Sequence, residues 1–311
     1  MIENNVSTIK QEPSILDSLP NQLKLAKMLE NVYENRPNIK SFVGAMAGTK
    51  YEKNYSEEVV EKDELYVKKT LTNIEEYNRS SGQEEFKRVE GGFQLSEILQ
   101  AMVIDRLNNH WFKEFKAIMT SEFDDLAVGM DGIMKHKDGG YLGLSLDFTV
   151  TNKEENIYKK LSGEWENVEK GEVRTVKYFE DPDTKEKGCL LVPKFIIGAS
   201  KKDVEELASA YLNNDTEVLE NHPLKYVILL QIQEQVRTVL DYYEIHKDDP
   251  KIQFAKKQYE AIEKLIPGMK NEIQSDKKMF ENIDLYKYTK ENIALDTMRR
   301  FSTMRQQEDT L

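Results

Sequence analysis

The stretch Ser121–Thr151, SEFDDLAVGMDGIMKHKDGGYLGLSLDFTVT, decides the fold. It reads as two strands joined by a tight turn at Lys137-Asp138-Gly139-Gly140, where glycines supply the positive φ that a hairpin needs. In the second strand Leu142, Leu144, Leu146, Phe148 and Val150 point one way; Tyr141, Gly143, Ser145, Asp147 and Thr149 point the other. In the first, Leu126, Val128 and Met130 share a face, and Asp131 falls with Ala127, Gly129 and Ile133 on the other. Each strand thus carries an aspartate at its centre, Asp131 and Asp147. Carboxylates are poor strand formers, so two facing each other across a hairpin call for a cation or a functional reason. Gly129 and Gly132 flank Met130-Asp131 and leave room for a ligand to approach. Two carboxylates and a main-chain carbonyl are how Mg²⁺ (or Mn²⁺) is held, with waters completing the octahedron. The plainer alternative is a sheet with one solvated face.

Upstream of the hairpin, Leu95, Ile98, Leu99, Met102, Val103, Leu107, Trp111 and Phe112 predict a long helix reaching toward Ile118, with Glu97 and Asp105 near the edges of its apolar stripe. Downstream, Thr151-Asn152-Lys153-Glu154 is a capping box that opens a helix carrying Ile157, Leu161, Trp165 and Val168 and stopping by Gly171. Strands follow at Glu172–Phe179 and Gly188–Ala199, the latter apolar enough to be buried on both faces. Then come a short helix at Lys201–Leu212 and a strong one starting at Pro223. This order predicts an α/β (α+β) core with a central mixed sheet of about four strands flanked by helices. The core occupies residues 85–246. Residues 1–84 form a polar N-terminal extension, partly disordered and partly helical, and 247–311 a charged helical C-terminal extension. The C-terminal helices, with Met269, Met279, Tyr286 and Tyr288, offer internal packing or an oligomer seam.

Composition narrows the function. With 44 Lys and Arg against 56 Asp and Glu, the net charge is −12. That excludes broad nucleic-acid coating, which needs excess cations to release counterions, but leaves a local groove for DNA or RNA. No apolar run approaches the ~18 residues a membrane span needs, and no charged-then-apolar signal opens the chain, so a cytoplasmic protein without a membrane partner is expected. The single cysteine, Cys189, excludes an internal disulfide framework. The four histidines are scattered without ligand spacing, and no phosphate loop occurs. Gln231, Gln233 and Gln235 read as the polar face of a helix.

A carboxyl-bearing helix, an Asp in GMDG, a turn, and an Asp in LDFT together resemble the PD-(D/E)XK (restriction-endonuclease-like) superfamily over residues from about 91 to 245. The resemblance implies a mixed sheet flanked by helices and Mg²⁺-dependent phosphodiester hydrolysis. Asp131 and Asp147 would be metal ligands and Glu97, or Asp105, a supporting carboxylate. The chain departs from the pattern at one place: Thr149 stands where the family has its lysine. A substitute is expected in Lys160. The strand climbs ~13 Å from Asp147 to Thr151 at ~3.3 Å per residue. A helix folding back descends ~13 Å over nine residues at ~1.5 Å each, which brings Lys160 level with Asp147. Lys159 has the same height but turns away, and Lys194 is a third option. The rival function is a non-enzymatic scaffold or binding module that retains the fold.

Overall fold

The computed structural model describes residues 19–80, 95–137, 144–150, 154–275, 288–289 and 291–308. The fold is mixed α+β, with helix predominating. Helices α1 (Leu19–Tyr33) and α2 (Glu57–Ser80) precede α3 (Leu95–Arg106), strand β1 (Phe115–Met119), a short helix α4 (Glu122–Val128), β2 (Gly132–His136) and β3 (Leu144–Val150). Next come α5 (Glu154–Glu169), β4 (Arg174–Glu180), β5 (Lys187–Val192) and β6 (Lys194–Ala199). The chain continues with α6 (Lys201–Leu212), α7 (Thr216–Asn221), α8 (Leu224–Ile245), α9 (Ile252–Glu263), α10 (Ile266–Ser275) and α11 (Ile293–Glu308).

Strands pair in the order β1-β2-β3-β6, with β4 and β5 forming a separate antiparallel pair. The β1–β2 ladder is antiparallel from Phe115↔His136 to Met119↔Gly132, and β2–β3 is antiparallel from Gly132↔Leu146 to Met134↔Leu144. The β3–β6 ladder is parallel, from Ser145↔Lys194 to Val150↔Ala199. The pleat sorts side chains to two faces. Phe115, Ala117, Met119 and Met134 join the main core with α3 and α8. Ile118 and Ile133 turn the other way and pack with Val176, Phe179 and Val192 of the β4–β5 pair.

Both outer strands of this order have carboxamides on their free edges. On β1, Asn108 Nδ2 donates to the Ala117 carbonyl (2.9 Å) and its Oδ1 accepts the Ala117 N–H (2.7 Å). On β6, Gln235 does the same for Ile196 (both bonds 2.9 Å), and Gln231 for Gly198, accepting at 3.0 Å and donating at 2.8 Å. Main-chain groups that a neighbouring strand would pair are thereby satisfied inside the protein. Gln231 is fully buried, so the reading of Gln231 and Gln235 as a polar face is corrected.

Three element assignments also change. Glu122–Val128 is helix, not strand. Ser121 caps it, its Oγ accepting the Asp124 N–H at 3.1 Å, and Gly129 ends it at φ 66°. The predicted helix toward Ile118 stops at Arg106, passes through a π-helical turn (Leu107–Trp111), and gives way to β1. The run Gly188–Ala199 divides at Pro193 into β5 and β6, which pair with different partners, because proline has no N–H to continue a ladder. The charged helical C-terminal extension ends in α11, whose Ala294, Leu295, Met298 and Phe301 are buried. The hairpin turn at 138–140 and the Thr151 cap lie outside the described residues.

Both flanking regions share the core. Leu25, Met28 and Leu29 of α1, Met269 of α10, and Met298 and Phe301 of α11 belong to the same apolar cluster as α3 and α8. The expected 84/85 boundary lies outside the described residues, and the 246/247 boundary falls just after α8.

Candidate functional site

Asp131 is not in a strand; it lies in the connection between α4 and β2. Its main chain is held from two sides. The Asp131 carbonyl accepts the Gln100 Nε2–H at 3.1 Å from α3 and the Thr120 N–H at 3.3 Å from the end of β1. The hairpin register then relates it to Asp147. The β2–β3 ladder ends at Gly132↔Leu146, so Asp131 and Asp147 of β3 are the next residues beyond its last pair. Asp147 itself has Ile196 of β6 as its other neighbour, and Thr149 has Gly198.

Asp131 lines a cleft of about 970 Å³ together with Glu97 of α3 and Lys160 of α5. Three residues expected at the site therefore reach one cavity from three separate parts of the chain. Asp105, the other helix carboxylate, lines a different cleft and is engaged by Arg106 and by Asn109 Nδ2 at 2.8 Å. Lys159 is exposed and lines a third depression with Glu154, Glu155 and Tyr158. Lys194 donates to the Val128 carbonyl at 3.0 Å, which ties the start of β6 to the end of α4. Of the three lysines, Lys160 is the one that lines the cleft with Asp131.

The N-terminal region adds residues that sequence reasoning missed. At the end of α1, the Tyr33 hydroxyl donates to Gln100 Oε1 at 3.3 Å, and Gln100 in turn holds Asp131. Burial pushes the Tyr33 hydroxyl well above the usual tyrosine range. The Arg36 guanidinium opposes that shift, while Glu97, Asp125 and Asp131 add to it. Arg36 lies over the Tyr33 ring at 4.7 Å and pairs with Asp125 at 2.6 Å. Nothing local in sequence marks these residues, because their roles depend on α1 docking against α3.

Helix α2 contributes Glu64, Val67, Lys68, Leu71 and Ile74 to the same lining. It is fastened at its base to the β4–β5 pair. Asp63 accepts from Lys177 and from the Tyr178 hydroxyl (2.6 Å), the Tyr55 hydroxyl donates to the Lys177 carbonyl at 2.5 Å, and Lys187 donates to the Ser41 carbonyl at 2.8 Å. Phe42, Tyr55, Val60 and Tyr178 form a small aromatic core beneath it.

Among the described residues, the cleft lining holds five carboxylates (Glu64, Glu97, Glu122, Asp125, Asp131) and three cations (Arg36, Lys68, Lys160), with no thiol or imidazole. Such an all-oxygen donor set suits a hard ion such as Mg²⁺ rather than zinc. Among the described residues, no three His, Cys, Asp or Glu side chains are grouped as a metal cluster. No helix among them is long and apolar enough to cross a membrane. No protein-family model matches the chain, no curated protein matches its sequence, and no solved structure matches its fold.

Proposed function

We propose that the chain is a Mg²⁺-dependent phosphodiester hydrolase with a restriction-endonuclease-like core, in which β1-β2-β3-β6 is the central mixed sheet. The observation that carries this reading is the convergence of Glu97, Asp131 and Lys160 on one cleft, with Asp131 and Asp147 the next residues beyond the last β2–β3 pair. In this reading Asp131 and Asp147 hold the ion and Glu97 supports it from α3. When bound, Mg²⁺ would polarise a phosphoryl oxygen and make a water more acidic. Lys160 takes the part of the lysine absent at position 149. Its ammonium orients the attacking water and offsets charge that builds on the phosphate. Gln100, itself bonded by Tyr33, fixes the main chain at Asp131, so the backbone that carries the carboxylate is already in place before binding.

The test is titration calorimetry with Mn²⁺ and Mg²⁺ on wild type, Asp131→Asn and Asp147→Asn, alongside cleavage of labelled DNA and RNA. The reading requires binding heat that either substitution abolishes, and cleavage that Lys160→Ala reduces by about 10²-fold or more. Equal heats in all three proteins would remove the metal site. Metal binding without cleavage of any nucleic acid would favour the scaffold reading.

A further inference from the structure

We infer that the cleft takes single-stranded nucleic acid, with a base lying against the α2 face formed by Val67, Leu71 and Ile74; this rests on the phosphodiester reading above. These three residues stand four and three apart, so they share one helix face, and all three line the cleft. Leu71 is 36% exposed and Ile74 41%, so folding leaves this wall of the cavity apolar and open. Lys68 lies on the same lining, three residues before Leu71, which sets a cation beside the apolar strip. Lys160 adds a second cation from α5, while Arg36 is paired with Asp125; the ion of the phosphodiester reading would offset the five carboxylates that share this lining. Apolar or aromatic platforms for base faces, interleaved with cations for the backbone, are how single strands are held without sequence preference. In a duplex those base faces are stacked away and unreachable.

Size points the same way. The cleft volume of about 970 Å³ is that of a small-molecule site, room for one or two nucleotide units. Helix α2 is tied down through Asp63, which accepts from Lys177 and from the Tyr178 hydroxyl over a buried aromatic core.

The experiment is fluorescence anisotropy on the full chain with labelled oligothymidine, oligouridine and a blunt DNA duplex of equal length, in Ca²⁺. Cleavage of the same three probes is followed in Mg²⁺. The expected result is at least tenfold tighter binding of one or both single strands than of the duplex, with Ile74→Glu weakening it at least fivefold and Ile74→Phe retaining it. Ile74 is surface-accessible, and an unchanged melting temperature and Mn²⁺ heat certify the variant as folded. Equal or tighter duplex binding, indifference to Ile74→Glu, or no binding of any probe overturns the inference. Duplex cleavage that needs Asp131 but not Ile74 would overturn it while leaving the phosphodiester reading intact. Absence of both Mn²⁺ heat and cleavage would remove the two together.

Discussion

The Gln231 carboxamide closes on the main chain of Gly198, accepting its N–H at 3.0 Å and donating to its carbonyl at 2.8 Å. Gln235 repeats the arrangement on Ile196. The match is geometric: residues four apart on a helix rise ~6 Å, and alternate residues of a strand are ~6.6 Å apart, so one helix face can serve two successive outward positions of a strand. Replacing Gln231 by Leu orphans two buried main-chain groups. At about 1–3 kcal/mol for each, Gln231→Leu should cost roughly 2–6 kcal/mol in urea denaturation. Gln233→Leu, on the same helix but off the strand, should stay within about 0.5 kcal/mol. Equal costs for the two would mean that the edge bonds contribute nothing.

Gly198 is constrained a second way. A Cβ there would sit 2.5 Å from the Ala294 Cβ of α11 and 3.1 Å from Ile157 Cδ1 of α5. Overpacking of this kind costs about 1–3 kcal/mol. Gly198→Ala should therefore lower the melting temperature, and Ala294→Gly should recover part of the loss in the double variant, since the two sites touch. Additive losses would show that α11 does not approach β6 this closely.

These contacts show where sequence was informative. Alternation from Leu144 to Val150 marked β3, and apolar spacing marked α5 and α8, because each of these helices buries one face against the core. The same alternation misled at Leu126, Val128 and Met130. There the decisive signals were the Ser121 cap, the acidic first turn and Gly129, which end-effects supply independently of apolar spacing. β1 hid behind an apolar helix because its strand character is completed by Asn108, a residue outside it. Glu97, Asp131 and Lys160, singled out by their offsets along a helix or strand, do line one cleft, although Asp131 lies before β2 rather than at a strand centre. Tyr33, Arg36 and Gln100 left no such mark, since their place in the cleft arises only when α1 lies against α3. Residues that act across 67 positions of chain, as Tyr33 and Gln100 do, leave no local trace.

Lys135 and Asp181 form an ion pair at the base of β2 in which both partners are buried. Asp181 also accepts the Asp183 and Thr184 N–H groups at 2.8 and 3.1 Å, so it organises the loop between β4 and β5. Removing one partner strands a charge in a low-dielectric site. Lys135→Met should destabilise by about 3–5 kcal/mol, and far more than Lys185→Met, whose pair with Glu180 is exposed. Chemical denaturation of the two variants side by side measures the difference.

Stability should also titrate through Glu206. His222 beside it, and then Lys202, hold the Glu206 carboxyl below its ordinary value of 4.5. His222 Nδ1 accepts the Leu224 N–H at 3.2 Å, which leaves Nε2 as the protonated nitrogen, 3.7 Å from Glu206 Oε2. A carboxyl with a lowered folded-state pKa contributes stability that is present above the unfolded value and lost as pH falls through the folded one. The melting-temperature gap between wild type and Glu206→Gln should therefore be steady above about pH 5.5 and close progressively below about pH 4.5. A gap that widens on acidification would reverse the assigned direction.

Gln100 offers the sharpest probe of the proposed metal site, because it touches Asp131 without being one of the proposed ligands. Its amide donates to the Asp131 carbonyl while its Oε1 accepts from Tyr33, so the carboxamide orientation is fixed at both ends. Gln100→Leu keeps the volume but frees the main chain at Asp131, and Tyr33→Phe releases only the far end. Loss of an outer-shell partner costs metal affinity by about 10–100-fold. Mn²⁺ affinity should fall by that order in Gln100→Leu, less in Tyr33→Phe, and Gln100→Glu should not restore it, because a carboxylate cannot donate to the Asp131 carbonyl. A purely structural role would lower the melting temperature in all three variants and leave the Mn²⁺ affinity of the folded protein where it was.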